Sequence, residues 1–292
     1  MFSSRQQGIV LVIVLWVVTL LGVMAASFAY SLRTEMVLAA TGVERAQGRA
    51  LAEAGVNYVM VQLLNPNPEQ PWPVDGSVQE LKLGSRVLQV SVTDAAGMID
   101  LNTASRELLG GLLSAAGVEE EQRDRLLDAI EDWRDPDDLR LLNGAEDDAY
   151  QTAGRKAGPK NAPFDSVEEL QQVLGVTPAL YGRIAKALTV YSGQAGIDPA
   201  VASAPVLAGI PGIDPAVVEQ YLTLRRDSIV QGLPPPPPPP EIAPYMAQQQ
   251  GQAYHITARA YLNGRFTAPV EAVIVRQGGA VQPFGIKLWR EG

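Results

Sequence analysis

The chain has 292 residues, of which 47% are hydrophobic, and its net charge of −9 at pH 7 makes it clearly acidic. This charge argues against a nucleic-acid partner, because binding to a phosphate backbone requires clustered Lys and Arg. The absence of Cys and the presence of one His exclude disulfides, thiolate catalysis and Cys- or His-rich metal sites. Since the sequence contains no Walker-type or nucleophile-elbow motif either, we expect a protein that is not an enzyme.

The N-terminal segment combines a short polar leader with a long apolar run. The leader contains Arg5 and ends at Gly8, and no charged residue follows between Ile9 and Ala26. An apolar run of about 18 residues can span a hydrocarbon core roughly 30 Å thick. A secretory signal peptide has its small-residue cleavage site after the apolar region and loses that region on cleavage. Here Gly8 precedes the run, so cleavage between Gly8 and Ile9 would keep the apolar helix, as in a type IV prepilin leader. A plain membrane anchor and a removable signal peptide are the alternatives.

The helical pattern continues beyond the apolar run. Residues rich in Ala, Leu, Glu, Arg and Gln follow, with apolar side chains at helical spacing, until Pro66 and Pro68 interrupt the pattern. A single helix from Ile9 to Leu64 would be about 80 Å long at 1.5 Å per residue. Its uniformly apolar first half predicts a membrane-spanning segment over 9–30, and its amphipathic second half predicts packing on a domain.

Two segments with alternating hydrophobicity flank the middle of the chain and predict strands. The first, within 75–95, has a turn near Gly84, and the second, within 252–290, has two alternating runs around Asn263–Gly264. The Asn-Gly pair favours tight primed turns, because both central residues need positive φ. We therefore expect an α+β fold in which the long N-terminal helix packs on a small antiparallel sheet. A large all-α insert separates the two groups of strands.

The predicted insert, residues 97–230, contains a degenerate repeat of three helical units. Each unit has a polar helix start, an apolar stripe, a glycine that can end a helix and a second amphipathic helix, and the three glycines are Gly117, Gly175 and Gly212. This pattern resembles helix-hairpin-helix or SAM-like repeats. DNA-binding versions offer backbone N–H groups of a glycine-rich turn to phosphate, whereas Asp214 follows the third turn here. We therefore interpret the repeat as structural, with nucleic-acid binding as the alternative.

Seven consecutive prolines, Pro234–Pro240, follow the insert. They favour an extended polyproline II spacer over helix or central strand, and a ligand for a Pro-recognition domain is the alternative. The sequence thus predicts six segments in order: a leader over 1–8, the membrane-spanning part of the helix over 9–30, the rest of the long helix with the first strands over 31–96, the insert over 97–230, a Pro-rich linker over 231–250 and the C-terminal strands over 251–292.

An acidic segment over 131–150, within the insert, is the second conspicuous feature. Its eight carboxylates face only Arg134 and Arg140, so they repel one another unless they are solvated or share a cation. Ca²⁺ takes roughly six to eight oxygen ligands in flexible geometry, and Pro136 keeps the first cluster out of helix, which exposes carbonyl groups as further ligands. The spacing does not match an EF-hand loop. Calcium binding, a solvated acidic loop and a pair of carboxylates for hydrolysis are the three interpretations.

Taken together, these features resemble the type II secretion system protein K family, the minor pseudopilins K of the general secretion pathway. The resemblance rests on "RQQG" before "IVLVIVLWVVTLL", on "GMIDLNTAS", on "EDWRDPDD" with "GAEDDAY", and on "NAPFDSVEEL". It implies a pseudopilin fold, cleavage after Gly8 by the prepilin peptidase and N-methylation of Ile9. It also implies that the acidic segment holds Ca²⁺, and the matching positions are Asp132, Asp135, Asp137, Asp138, Glu146, Asp147 and Asp148.

The same resemblance implies a location and partners. It implies a single-pass protein of the inner membrane, with a periplasmic C-terminal domain, at the tip of a periplasmic pseudopilus. There the protein initiates or caps the filament for protein export across the outer membrane. The implied partners are the minor pseudopilins I and J, the major pseudopilin and the prepilin peptidase, with no nucleic acid. A membrane-anchored helix-hairpin-helix DNA-binding protein and a minor pilin of a type IV pilus are the alternatives.

The fifth residue of the predicted mature chain favours a place at the tip. In most pilin-like chains this residue is Glu, which can neutralise the N-terminal amine of a neighbouring subunit inside the apolar filament. Counting from Ile9, it is Ile13 here. A buried carboxylate without a partner is costly, and the first subunit of a filament has no neighbour ahead of it. Ile13 therefore suits that position, and a simple hydrophobic anchor residue is the alternative.

Overall fold

The computed structural model describes residues 6–65, 71–247, 251–278 and 282–292. Residues 1–5 of the predicted leader and residues 248–250 at the end of the predicted linker lie outside the described residues.

The helices are, in chain order, α1 (Gln6–Leu64), α2 (Arg106–Ala115), α3 (Glu120–Arg134), α4 (Asp147–Thr152), α5 (Pro178–Ile184), α6 (Ala204–Ala208) and α7 (Pro215–Val230). The strands are β1 (Asp75–Leu83), β2 (Arg86–Asp94), β3 (Ile99–Asp100), β4 (Leu188–Thr189), β5 (Ala253–Leu262), β6 (Arg265–Phe266), β7 (Val270–Arg276) and β8 (Phe284–Glu291). Short 3-10 segments span Ala95–Gly97, Val167–Gln172, Ala185–Ala187 and Pro240–Tyr245.

Helix α1 is continuous over 59 residues, which is about 90 Å at 1.5 Å per residue. Its first half contains an 18-residue window with a mean hydropathy of 2.9, and none of that window is buried. From Gly48 onward one face of α1 packs on the domain, with Ala52, Val56 and Val59 fully buried. The helix ends at Leu64, as the sequence predicts. One element therefore has an exposed apolar half and a packed amphipathic half.

The main sheet lies against the second half of α1. Its strand order is β1-β2-β5-β7-β8 with antiparallel neighbours, and β6 pairs with β5. Between β5 and β6, Asn263 and Gly264 have φ angles of 49° and 83°, both positive, as a primed turn requires. Alternate strand residues such as Val90 and Ile256 face α1 and form the core beneath it. The predicted arrangement of a long helix on an antiparallel sheet is confirmed.

The insert between β2 and β5 has a hydrophobic core of its own, which includes Leu108, Ile130 and Leu207. The glycines of the three predicted turns, Gly117, Gly175 and Gly212, have φ angles of 79°, 91° and 75°. Each of them lies between two short helical segments. The assignment of these units to the helix-hairpin-helix or SAM-like class stays a prediction.

The insert is not purely helical, which differs from the all-α expectation. Strands β3 and β4 form a parallel pair in which Ile99 lies opposite Leu188 and Asp100 lies opposite Thr189. Each strand has two residues, which is too short for an alternating pattern, so the sequence contains no signal for this pair.

The predicted Pro-rich linker packs on the insert in its second half. Pro240–Tyr245 forms a 3-10 segment, and the side chain of Ile242 is buried in the core of the insert. Met246 then forms an isolated parallel bridge with Ile197. The prolines before this segment are outside regular secondary structure, as expected for residues without a backbone N–H.

Polar contacts join the insert to the sheet face opposite α1. The Nε2 atom of His255 on β5 lies 3.1 Å from the Oγ1 atom of Thr189. At a second point, the buried guanidinium of Arg225 on α7 donates hydrogen bonds to the carbonyls of Pro199 and Ala202 and lies 3.9 Å from Asp75 on β1. These contacts hold the insert against the sheet.

Candidate metal centre

The acidic segment occupies the end of α3, the start of α4 and the loop between them. Helix α3 ends at Arg134, and Asp135 follows it with an extended backbone. Pro136 comes next, and the residue before a proline disfavours helical φ and ψ. Helix α4 begins at Asp147 directly after Glu146, so both carboxylates lie at a positive helix end. The fold therefore brings the two carboxylate clusters of the sequence to adjacent helix ends.

Two buried carboxylates of α3 hold the loop between these helices. The carboxylate of Asp132, fully buried, accepts hydrogen bonds from the amides of Leu141 at 3.2 Å and Ala145 at 2.7 Å. One turn earlier, Asp128 accepts from the amide of Asn143 at 2.9 Å. Two of the loop's amides thus depend on one side chain, and Asp132 has a structural role even before any cation is considered.

Three buried oxygens near this loop have no hydrogen-bond partner. They are Oδ1 of Asp135, Oε1 of Glu146 and Oδ1 of Asn161. The amide group of Asn161 is oriented by a 2.6 Å hydrogen bond that its Nδ2 atom donates to Asp138. Buried acceptors without partners are rare and cost free energy. Carboxylate and amide oxygens are the ligands that Ca²⁺ prefers, so each of the three is available to a cation.

The electrostatics of the segment point in the same direction. Burial, followed by the negative charges of Asp132, Asp135, Asp138 and Asp147, raises the pKa of Glu146 to about 7. Burial is also the main cause of the raised pKa values of Asp132 and Asp135. The ionised forms of these carboxyls are therefore disfavoured by burial, and a nearby divalent cation would favour them.

The two arginines of the segment do not neutralise these buried carboxylates. Arg134 donates its hydrogen bond to the carbonyl of Leu101, and the closest carboxylate to Arg140 is that of exposed Asp148, at 3.8 Å. In the described part of the chain, neither arginine of the segment therefore forms an ion pair with Glu146.

The seven predicted ligands do not all converge. Asp132, Asp135, Asp138 and Asp147 all lie close enough to Glu146 to raise its pKa, and Asp137 has the same effect on Asp135. Exposed Asp137 accepts from the amide of Leu139, and exposed Asp148 accepts from the amide of Ala149. Among the residues that the structure describes, no three Asp, Glu or His side chains form a ready-made metal cluster.

Sequence reasoning missed Asn161 as a member of this site. Asn161 is far from Asp138 in sequence, and its positive φ of 51° is the local feature that orients it. Asn is one of the few residues that tolerate this conformation. Gly158 was also missed: a Cβ atom there would collide with the carboxylate of Asp147. Gly158 precedes the "NAPFDS" stretch and Asn161 begins it. No spacing rule connects either residue with the acidic segment.

The predicted processing residues lie on the exposed half of α1. Gly8 is within the helix, and the side chains of Ile9 and Ile13 are 63% and 56% exposed. This part of α1 is long and apolar enough to cross a membrane. Ile9 and Ile13 therefore lie on one unpacked apolar surface.

The sequence is similar to a known family and to several named proteins. Residues 88–193 match the family described as type II secretion system (T2SS), protein K. The chain is 29% identical over 205 residues to the type II secretion system protein K of Klebsiella pneumoniae, with 62% of each chain covered. It is 28% identical over 235 residues to the protein of the same name from Dickeya chrysanthemi, covering 62% of this chain and 65% of that protein. The matched region thus spans less than two thirds of these relatives.

A solved structure is also similar. It is the crystal structure of the GspK-GspI-GspJ complex from the type 2 secretion system of enterotoxigenic Escherichia coli, with a TM-score of 0.60 and 15% identity. The alignment covers 84% of this chain and 94% of that chain. By sequence and by fold, the chain resembles the type II secretion system protein K family, as its sequence predicts.

Proposed function

We propose that this protein is a minor pseudopilin at the tip of the type II secretion pseudopilus, where it initiates or caps the filament as a structural subunit. The observation that carries this proposal is the two-part helix α1, whose unburied apolar half continues without a break into a half packed on an antiparallel sheet. A helix of this kind can reside in a bilayer and can also pack laterally beside other such helices in a filament.

The exposed half of α1 supports a single-pass location in the inner membrane with a periplasmic C-terminal domain. In this proposal the prepilin peptidase cleaves after Gly8, and Ile9 becomes the methylated terminus. Ile13 then lies where repeating subunits have a carboxylate, so that the chain suits a position with no subunit ahead of it. The insert supports the same position, because its own core adds a second packed body to the sheet, which would obstruct another copy above it.

A bound Ca²⁺ ion is the second part of the proposal. Asp135, Glu146 and Asn161 would hold it through their unpaired oxygens, with Asp138 beside Asn161. The ion would neutralise the carboxylates and link the end of α3 to the start of α4. Asp132 would keep its hydrogen bonds to the loop and contribute charge. The remaining predicted ligands, Asp137, Asp147 and Asp148, are candidates for further contacts.

The DNA-binding alternative is disfavoured by the start of α7. Asp214 caps this helix, and its carboxylate accepts from the amide of Ala216 at 2.8 Å. A carboxylate thus occupies the helix end where a phosphate would bind, in a chain with a net charge of −9.

The proposed partners are the minor pseudopilins I and J, the major pseudopilin and the prepilin peptidase. The solved complex with a similar chain combines the proteins named GspK, GspI and GspJ. Co-purification from membranes tests this proposal, with the tagged full chain expressed beside minor pseudopilins I and J and the major pseudopilin. We expect I and J in equal amounts with the tagged chain. Recovery of the chain without I and J would contradict the proposed function.

A further inference from the structure

A short apolar loop projects from the acidic segment and has no role in the function proposed above. Within residues 139–142, here called the leucine loop, Leu139 and Leu142 are 76% and 91% exposed, and Leu141 is also exposed. Single exposed leucines are ordinary on a protein surface. Three leucines within four residues, inside the most acidic part of the chain, are a concentrated apolar feature.

The backbone of the leucine loop is held in place. The amide of Leu139 donates to Asp137 at 2.8 Å, and the amide of Leu141 donates to buried Asp132 at 3.2 Å. Beyond the loop, the amides of Asn143 and Ala145 donate to carboxylates of α3. Every second amide from 139 to 145 is thus bound to a carboxylate. The exposed leucine side chains are therefore presented on a fixed backbone, which reduces the entropy that binding would cost.

Negative charge surrounds the leucine loop. Asp137, Asp147 and Asp148 are exposed beside it, and Arg140, within the loop, lies 3.8 Å from Asp148. Anionic lipid headgroups attract basic segments, so an acidic rim opposes docking on a membrane surface. A protein surface with an apolar centre and a basic rim complements the exposed leucines and the acidic rim around them.

We propose that the leucine loop is a docking anchor for a partner protein that presents an apolar groove bordered by Lys and Arg. Leu139 and Leu142 enter the groove, and the exposed carboxylates pair with its basic rim. Since the loop is short, the interface is small and suits a transient contact, such as one renewed during each cycle of filament growth. The inference rests on the proposed function for its setting, but not on the filament contacts of α1 or on bound calcium.

The test uses the full chain in nanodiscs of zwitterionic lipid, with excess Ca²⁺ throughout. The probe is a designed two-helix peptide whose leucine-lined groove is flanked by lysines, and a twin peptide has glutamates in place of the lysines. The test variant is L139S/L142S. The matched control is I229S/V230S, because Ile229 and Val230 at the end of α7 are 53% and 86% exposed. Fluorescence anisotropy measures binding of each peptide.

We expect the wild type and I229S/V230S to bind the lysine-flanked peptide equally, and L139S/L142S to bind it at least about tenfold more weakly. The glutamate-flanked peptide should not bind. Equal binding by the wild type and L139S/L142S, or no binding by the wild type, would overturn the proposal. Binding of the wild type to phosphatidylglycerol vesicles that L139S/L142S loses would overturn it in favour of a lipid surface. Co-purification with minor pseudopilins I and J tests the proposed function separately and should be unchanged in both double variants.

Discussion

Gly144 lies directly against the carboxylate of Asp132, so that any side chain at Gly144 would collide with it. The close approach exists because the neighbouring amide of Ala145 donates to Oδ2 of Asp132 at 2.7 Å. The buried side chain of Asp132 thus leaves no room for a side chain at Gly144 in the loop that follows α3.

Gly144→Ala is therefore expected to destabilise the protein. The added methyl group must displace Asp132 or the loop, and overpacking of this kind costs about 1–3 kcal/mol. Thermal unfolding of the full chain in detergent measures the change. Gly182→Ala is the matched control, because Gly182 lies in α5 with nothing close to its Cβ position. That substitution should be neutral or slightly stabilising, since Ala favours helix over Gly. An equal loss of stability in both variants would contradict this account of Gly144.

Glu146→Gln is expected to have effects of opposite sign with and without calcium. Without calcium, the substitution removes a buried charge that neighbouring carboxylates repel, so the melting temperature should rise. With calcium, it removes a charged ligand and so weakens the stabilisation by the ion. The variant should then melt below the wild type. Melting temperatures of the wild type and the variant, each with excess Ca²⁺ and with chelator, provide the four values needed.

The control for this comparison is Glu219→Gln, because Glu219 is exposed on α7 and lies outside the acidic segment. It should change the melting temperature little under either condition. A wild-type melting temperature that is the same with calcium and with chelator would contradict the proposed ion.

His255 is expected to make stability depend on pH in mildly acidic solution. Burial lowers the pKa of its imidazole from 6.5 to about 4, and nearby Glu168 only partly opposes this. The folded state therefore binds its proton less readily than the unfolded state. The contribution of neutral His255 to the free energy of unfolding is fully present above about pH 6.5. It is lost as the pH falls towards about 4, by about 1–3 kcal/mol. Thr189 and Tyr191 are the insert residues that contact the ring.

His255→Gln isolates this effect, because Gln keeps a polar group near Thr189 but does not titrate. Between pH 7 and pH 4.5 the variant should lose less stability than the wild type. The variant must be compared with the wild type because a second group also titrates in this range: burial raises the pKa of Asp94 to about 6. That carboxyl contributes with the opposite sign: its stabilisation is present at low pH and lost as the pH rises through about 6. Parallel pH profiles for the variant and the wild type would contradict the role of His255.

Ile13→Glu is expected to reduce the number of pseudopili that form. In the first subunit of a filament the new carboxylate has no neighbouring amine to pair with, and an unpaired buried charge costs several kcal/mol. Counting filaments by electron microscopy measures the effect, with Ile13→Leu as a control that keeps the apolar surface. Normal filament numbers with Ile13→Glu would contradict the placement of Ile13 at the tip.

Those parts of the fold that depend on residues near in sequence could be predicted from the sequence. The end of α1 at Leu64 and the turn at Asn263–Gly264 depend on neighbouring residues, and both agree with the structure. The β3–β4 pair depends on residues almost ninety positions apart, as Ile99 pairs with Leu188, and neither strand is long enough to show a period. The burial of Ile242 after a run of prolines likewise depends on the core of the insert, which no local pattern encodes.

The candidate site was predictable in part for the same reason. The acidic segment is a composition signal, so its carboxylates could be named from sequence. Which oxygens are buried and unpaired depends on tertiary contacts, and these select Asp135 and Glu146 but leave Asp148 exposed. Asn161 joins the site through a hydrogen bond to Asp138 from a distant loop. Asn161 could therefore be identified as part of the site only from the fold.

The most direct test of the central claim is mass spectrometry of the N-terminus of the protein isolated from membranes. Removal of residues 1–8 with retention of the apolar helix distinguishes a pseudopilin from an ordinary anchor or a secretory signal. We expect a mature chain that begins at N-methylated Ile9. A chain that retains Met1, or one that has lost the apolar run from Ile9 to Ala26, would contradict it.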